Sequence, residues 1–406
     1  MKLKAMLKYD LCIIGGGPAG IMAAIASGER NKKVVLIEKN EDIGKKLLLT
    51  GGGRCNLTSK GLTKKEFVSK FGKQGDFLLS SMSLFGPEEL IDFFEKRGFS
   101  LKVEEGKVYP KSENSKDVLN FFKSELKKNK VTVITNKEVS DFLFKNKKIE
   151  KVLLTDNEEI FADNFLIATG GKSYPNNVSS FNGYAFSKKM GHKVSVLSPA
   201  LTPIEVREKW ISVLKGVTLK DVGVKLNNEK EIRGDVLCTH FGLSGPLILN
   251  LSQKVKSKDK IFLDLFPKKR SEDLEKELLE LFDENIKKTI NNVLIGRLPL
   301  KLAPVIINFS GIDRNEICRN INKEQRKKLV KNIKNIEFNV VGLLGFEKAM
   351  VTKGGILLKE IDAKTLKSKL VANLYFAGEI IDLNGESGGF NLQMCFTTGY
   401  AVAQSI

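Results

Sequence analysis

Histidine and tryptophan are nearly missing from this chain, which has two of the first and one of the second. No group of side chains shows metal-ligand spacing, so no metal is expected. Cysteine is scarce and scattered: Cys12, Cys55, Cys238, Cys318 and Cys395, an odd number with no Cys-x-x-Cys pair. That excludes a disulfide framework or a structural zinc site, and it fits a reducing cytoplasm. Long hydrophobic runs are also absent. The nearest, Val293 to Phe309, is broken by Arg297, Lys301 and two prolines, so no membrane span is expected. The early apolar stretch is interrupted by Asp10 and by Gly15-Gly16-Gly17, which excludes the continuous apolar helix of a signal peptide. The expected location is the cytoplasm.

The composition is that of a globular protein, 42% hydrophobic and 28% charged. A chain of 406 residues exceeds one ordinary core and implies two or three domains. Basic residues outnumber acidic ones 67 to 48, for a net charge of +19. Such an excess permits a nucleic-acid partner. The lysines are dispersed rather than gathered in an arm, which favours a lysine-rich surface instead.

The chain opens with a strand, Leu11-Cys12-Ile13-Ile14, then a glycine turn, a helix over Ile21 to Ser27, and a second strand, Val34 to Ile37. This is one βαβ unit with a parallel sheet, the start of a doubly wound α/β domain. Residues Phe67 to Lys130 read as mostly helical. Strands are expected at Val131 to Ile134, Ile149 to Leu154 and Phe165 to Ile167. Short alternating strands follow from Val194 to Phe266, then charged helical sequence from Ser271 to about Asn335. The α/β pattern resumes with a strand at Leu374-Tyr375-Phe376 and a helix from Phe390 to Gln404. The expected layout is a discontinuous cofactor domain over residues 1–192 and 344–406. An inserted domain over 193–343 is β-rich over 193–268 and mainly helical over 269–343.

Three glycine-rich elements carry the chemistry. Gly15-x-Gly17-x-x-Gly20, with Pro18 and Ala19 between, follows a strand and opens a helix. Gly15 permits the tight turn, Gly17 lets a diphosphate reach the backbone, and Gly20 lets the helix pack on the strand. Glu38 ends the second strand, eighteen positions after Gly20, where an acid accepts hydrogen bonds from ribose hydroxyls. FAD and NAD share this fingerprint. Thr50-Gly51-Gly52-Gly53-Arg54-Cys55-Asn56 is a second such loop, whose amides and Arg54 are candidates to hold diphosphate or flavin. The third is Phe376-Ala377-Gly378-Glu379, with Asp382 beyond and Gly388-Gly389-Phe390-Asn391 opening the last helix. Asp382 is a candidate for a ribityl hydroxyl or phosphate, and the Gly389 to Asn391 amides for the flavin N1–C2=O edge. Together these elements favour FAD. Lys39, Val139, Thr169, Gly170 and Gly171 complete the expected cofactor contacts.

These pieces, with Ala168-Thr169-Gly170-Gly171 and Thr239-His240-Phe241-Gly242-Leu243-Ser244-Gly245-Pro246, resemble the bacterial BaiN-like flavoproteins, also known as aminoacetone oxidase-like FAD-binding enzymes. The matching pieces span nearly the whole chain. The resemblance implies FAD, a two-dinucleotide-binding flavoprotein domain and an inserted domain with β and helical parts. It implies oxidoreductase chemistry, which in this family ranges from reduction of a steroid C=C bond to amine oxidation.

No separate NAD(P)H-binding motif follows, so a nicotinamide donor would dock transiently. His240 and Tyr174 are candidate catalytic residues: His240 as a proton donor, Tyr174 as a neighbour of the flavin. His192 reads as a cap at a helix end, and Cys55 lacks a partner for a flavin–disulfide relay. The leading expectation is an FAD-dependent oxidoreductase acting on a small organic substrate with NAD(P)H or oxygen. A tRNA-modifying flavoenzyme and a non-catalytic flavin-binding protein are the alternatives.

Overall fold

The computed structural model describes residues 8–174 and 182–406. The chain divides into two compact units. One holds the chain up to Pro199 together with Ala349–Ile406; the other is Ala200–Lys348.

Apolar runs without polar alternation make strands that are buried on both faces, the signature of a parallel sheet. Lys8–Ile14 and Val34–Ile37 pair in this way, and Leu11, Ile13, Val35 and Leu36 have no exposed surface. Burying each such side chain contributes roughly 1.5–3 kcal/mol. Thr132–Ile134 lies beyond the second strand and Glu159–Ile167 beyond the first, both parallel. Leu374–Phe376 pairs in parallel with the end of Glu159–Ile167. Lys148–Leu154 and Val139–Lys145 extend the sheet from the other end of that strand as an antiparallel hairpin. The sheet is therefore mixed, with seven strands.

Helix Pro18–Glu29 packs against the C-terminal helix Phe390–Gln404. The approach is so close that a Cβ on Gly399 would stand 2.2 Å from the Ala19 carbonyl oxygen. Sequence from both sides of the Ala200–Lys348 unit thus builds one sheet and one helix pair.

Residues 67–130 are less helical than the sequence suggests. Leu101–Glu104 and Lys107–Pro110 form a hairpin, joined by Thr58–Ser59 into a three-stranded sheet. Four-residue strands are too short to register as a period-2 pattern. The turn between them is set by Glu105 and Gly106 at φ 48° and 75°.

The second unit is built on a closed six-stranded antiparallel barrel. In order around it, the strands are Ile204–Val206, Gly242–Ser244, Ile232–Cys238, Thr218–Leu226, Lys260–Asp264 and Ile336–Leu343. Alternate side chains fill its interior, among them Val222, Val224, Ile261, Leu263, Phe338 and Val340. One sequence expectation holds here and one boundary is corrected. Residues 269–343 are mainly helical as expected, ending in the strand Ile336–Leu343, which closes the barrel between its first and fifth strands. Residues 193–197 do not start the second unit. Ser195 N–H donates to Gly355 O at 2.9 Å and Leu357 N–H to Lys193 O at 3.1 Å, which ties the segment to the first unit. Among the described residues, no helix is long and apolar enough to cross a membrane.

Candidate functional site

The first glycine turn is built by backbone contact. Gly15 has φ +109°, and a Cβ there would lie 2.5 Å from the Ala168 carbonyl oxygen. On Gly20 a Cβ would meet the Gly15 carbonyl oxygen at 2.0 Å. Gly17 differs: nothing lies within 4 Å of its Cβ position, so the turn faces open space at the helix N-cap. Pro18 takes the first helical position, where its missing N–H costs nothing. The first intrahelical bond runs from Ile21 N–H to Gly17 O at 2.9 Å. The preceding amides and the positive dipole end thus face outward, as anion binding requires.

This turn opens on a cleft of about 840 Å³, including its mouth, lined by Gly15 to Ala19, Glu38, Lys46, Thr50, Ala168 to Gly170, Gly378, Glu379, Asn391 and Cys395 among others. A second pocket of about 420 Å³ passes Lys39 to reach Glu138, Val139 and Asn182. Gly15, Glu38 and Thr169 line both, so the two lobes adjoin along the glycine turn.

Glu38 stands at the junction and is 8% exposed. One carboxylate oxygen accepts from Gly16 N–H at 2.8 Å. The other accepts from Asn40 N–H at 2.9 Å and Asn40 Nδ2 at 2.6 Å. The acid therefore braces the glycine turn as well as facing the cleft. Thr169 Oγ1 is buried and has no hydrogen-bond partner among the described residues.

Opposite, Glu379 lies in the turn that follows the strand Leu374–Phe376 and is also 8% exposed. Its Oε1 accepts from Thr352 N–H at 2.6 Å and Ser173 Oγ at 3.2 Å. Its Oε2 pairs with Lys46 Nζ at 2.5 Å. Gly171 makes room for this network: a Cβ there would fall 2.4 Å from Thr352 Oγ1 and 2.6 Å from Glu379 Oε1. The sequence reading missed Lys46 and Thr352. Lys46 sits in Gly44-Lys45-Lys46, a few residues past Glu38, overshadowed by the glycine loop that follows.

That loop behaves differently from expectation. Gly51, Gly52, Gly53 and Cys55 all have positive φ, but of the loop only Thr50 lines the cleft. Arg54, expected as a cofactor contact, lies off the cleft and is paired elsewhere. Its guanidinium pairs with Glu104 at 2.7 Å and with Glu113, and stacks 4.3 Å above the Tyr109 ring. Two carboxylates already satisfy its charge. Burial pushes the Cys55 thiol up to about 12, leaving it protonated and unreactive. The Asn56 amide accepts from Gly389 N–H at 3.1 Å and donates to Thr58 O at 2.9 Å.

The Gly388-Gly389 turn is therefore partly occupied by protein. Both residues have positive φ, and neither they nor Phe390 line the cleft; Asn391 does. The Asn391 side chain holds the preceding loop through Gly385 N–H at 2.8 Å and Gly385 O at 3.1 Å. Asp382 also lies off this cleft, in a shallow basin with Lys73, Phe77, Lys359 and Lys369. Tyr174 is half-buried with φ 56° and does not line the cleft. His240 is exposed on a turn of the barrel, edge-on to Phe241 at 4.8 Å. His192 is buried between Glu360 (3.2 Å) and Ser368 (2.8 Å), a structural role.

The pattern of the HI0933-like protein Rossmann domain matches residues 9–405. The chain belongs to this family. Two relatives of the HI0933-like chain span it almost end to end. The 3-dehydro-bile acid delta(4,6)-reductase of Clostridium scindens is 31% identical, over 97% of this chain and 98% of its own length. The ribosomal RNA dihydrouridine synthase of Haemophilus influenzae is 30% identical, over 97% of each. The fold is also that of solved flavoenzymes. The 3-ketosteroid delta1-dehydrogenase of Sterolibacterium denitrificans superposes with a TM-score of 0.55 at 11% identity, over 98% of this chain and 99% of its own. The BaiN-like resemblance and the Rossmann-type, FAD-binding fold class are thus borne out.

Proposed function

We propose that this HI0933-like protein is an FAD-dependent oxidoreductase that saturates a carbon–carbon double bond conjugated to a carbonyl group. The two-lobed cleft carries the reading. A diphosphate fits where Gly17 faces open space, and a ribose fits beside Glu38, which lines both lobes. Val139 borders the lobe an adenine would fill. Bound flavin supplies hydride transfer. The chain's part is to bind, orient and exclude water.

The choice of reaction is supported by what two full-length relatives are named for. A delta(4,6)-reductase and a dihydrouridine synthase act on unlike molecules, yet each makes a C–C single bond from an enone-type double bond. Both additions need a hydride and a proton; a nicotinamide donor is the proposed source of the hydride, by way of the flavin, and water of the proton. Uridine in RNA stands as a second substrate class beside small enones because of the second relative's name; the dispersed net charge of +19 permits it without favouring it.

The test begins with cofactor released by heat, which should be FAD. Anaerobic NADH or NADPH should then bleach the flavin band. A 4-en-3-one steroid or a uridine-containing RNA transcript should restore it, with a product two mass units heavier. Recovery of FMN alone would end the FAD reading. A reduced flavin that neither substrate class reoxidises would end the proposed reaction.

A further inference from the structure

We propose that Lys46 is the cationic contact for the diphosphate of the bound dinucleotide, and that Glu379, its ion-pair partner, competes with the diphosphate for the ammonium. This rests on the FAD reading above and adds a residue to it. A helix N-terminus offers a diphosphate only partial charges, so a full cation beside it matters. Arg54, the cation that the sequence offers, is committed to Glu104 and Glu113. Lys46 lines the same cleft as Gly15 to Ala19.

Two observations place Lys46 beside the turn, and a third leaves it a donor to spare. The loop that carries it is bonded to the turn itself, since Gly44 N–H donates to Gly16 O at 2.8 Å. Its partner Glu379 follows Gly378, which packs so closely on the first helical turn that a Cβ there would lie 2.9 Å from Ala19 Cβ. The ammonium has three donors, and two are used, by Glu379 Oε2 and Ser173 Oγ, each at 2.5 Å. Among the described residues the third has no partner. It is the group a phosphate oxygen would take.

Thr352 N–H and the Ser173 hydroxyl already bond the other oxygen of Glu379, which fixes the carboxylate. The same carboxylate competes with phosphate for the ammonium. Diphosphate affinity is then set by the Lys46–Glu379 pair, and the adenosine lobe is left alone.

The experiment uses full-length protein stripped of flavin and titrated calorimetrically with ADP, AMP and FAD. Wild type should bind ADP more tightly than AMP. In K46M, ADP and FAD affinity should fall about 10- to 100-fold while AMP changes little, and K46R should recover most of the loss. E379Q, which releases the ammonium, should tighten ADP several-fold without changing AMP. The two-electron potential of FAD-loaded K46M should stay near wild type. Wild type that binds neither ADP nor FAD would instead overturn the cofactor reading itself. Wild-type ADP affinity in K46M, or equal losses for AMP and ADP, would overturn the role of Lys46. So would a shifted potential at unchanged affinity. If K46M does not fold, the ADP and AMP affinities of E379Q decide alone: weaker ADP, or equal changes in both, refutes the proposal.

Discussion

Glu38→Gln separates bracing from ligand binding. The carboxylate accepts three hydrogen bonds, from Gly16 N–H, Asn40 N–H and Asn40 Nδ2. Glutamine keeps the shape and replaces one oxygen with an amino group. Either oxygen that is lost leaves an N–H facing a backbone N–H, at Gly16 or at Asn40. A hydrogen bond to a charged acceptor contributes about 1.5–3 kcal/mol. Unfolding free energy of the flavin-free protein should fall by about that amount, read from urea melts followed by far-ultraviolet circular dichroism. FAD affinity of the folded variant, read by flavin fluorescence, should fall further, because ribose hydroxyls lose an anionic acceptor. Flavin-free stability within about 0.5 kcal/mol of wild type, inside ordinary surface-substitution scatter, would refute the bracing role. Unchanged FAD affinity would refute the ribose role while leaving the brace intact.

Other expectations follow from single contacts. Burial holds His192 below the ordinary imidazole value despite Glu360 beside it, so the unfolded chain takes up the proton first. Stability should therefore drop as pH falls below about 6.5, and His192→Gln should flatten that part of the curve in melts at pH 7.5 and 5.5; an unchanged slope would count against His192. Cys55 should resist a thiol reagent at pH 8 in folded protein and react in urea, as read by peptide mass. Gly389→Ala places a Cβ 2.7 Å from the Thr58 backbone at φ 92°. It should destabilise by roughly 1–3 kcal/mol from overpacking, and a raised melting temperature would contradict that packing.

The first glycine turn was legible because each of its residues acts locally. Gly15 bends, Gly20 packs, Gly17 leaves room and Glu38 ends the strand. The strand Leu374–Phe376 and the helix Phe390–Gln404 were legible for the same reason, as an apolar run and a glycine-started helix. What the sequence did not show depended on distant partners. Arg54 looks like a phosphate ligand until Glu104 and Glu113 fold against it, fifty residues away or more. Lys46 looks like any lysine until Glu379 arrives from the far end of the chain. The strand Ile336–Leu343 adjoins a charged helix, and its alternation stands out only once a barrel needs a sixth strand.

The interleaving of the two units has a consequence for the nascent chain. The barrel's strands are all translated by Leu343, whereas Glu159–Ile167 waits for Leu374–Phe376, about 200 residues later, to cover its open edge. At about 5–20 residues per second the ribosome leaves that edge bare for roughly 10–40 s. An apolar strand with unpaired N–H and C=O groups is a template for unwanted pairing. Slow translation through the barrel, or a rare-codon stretch there, lengthens that exposure, and recovery of soluble protein becomes a matter of timing during synthesis.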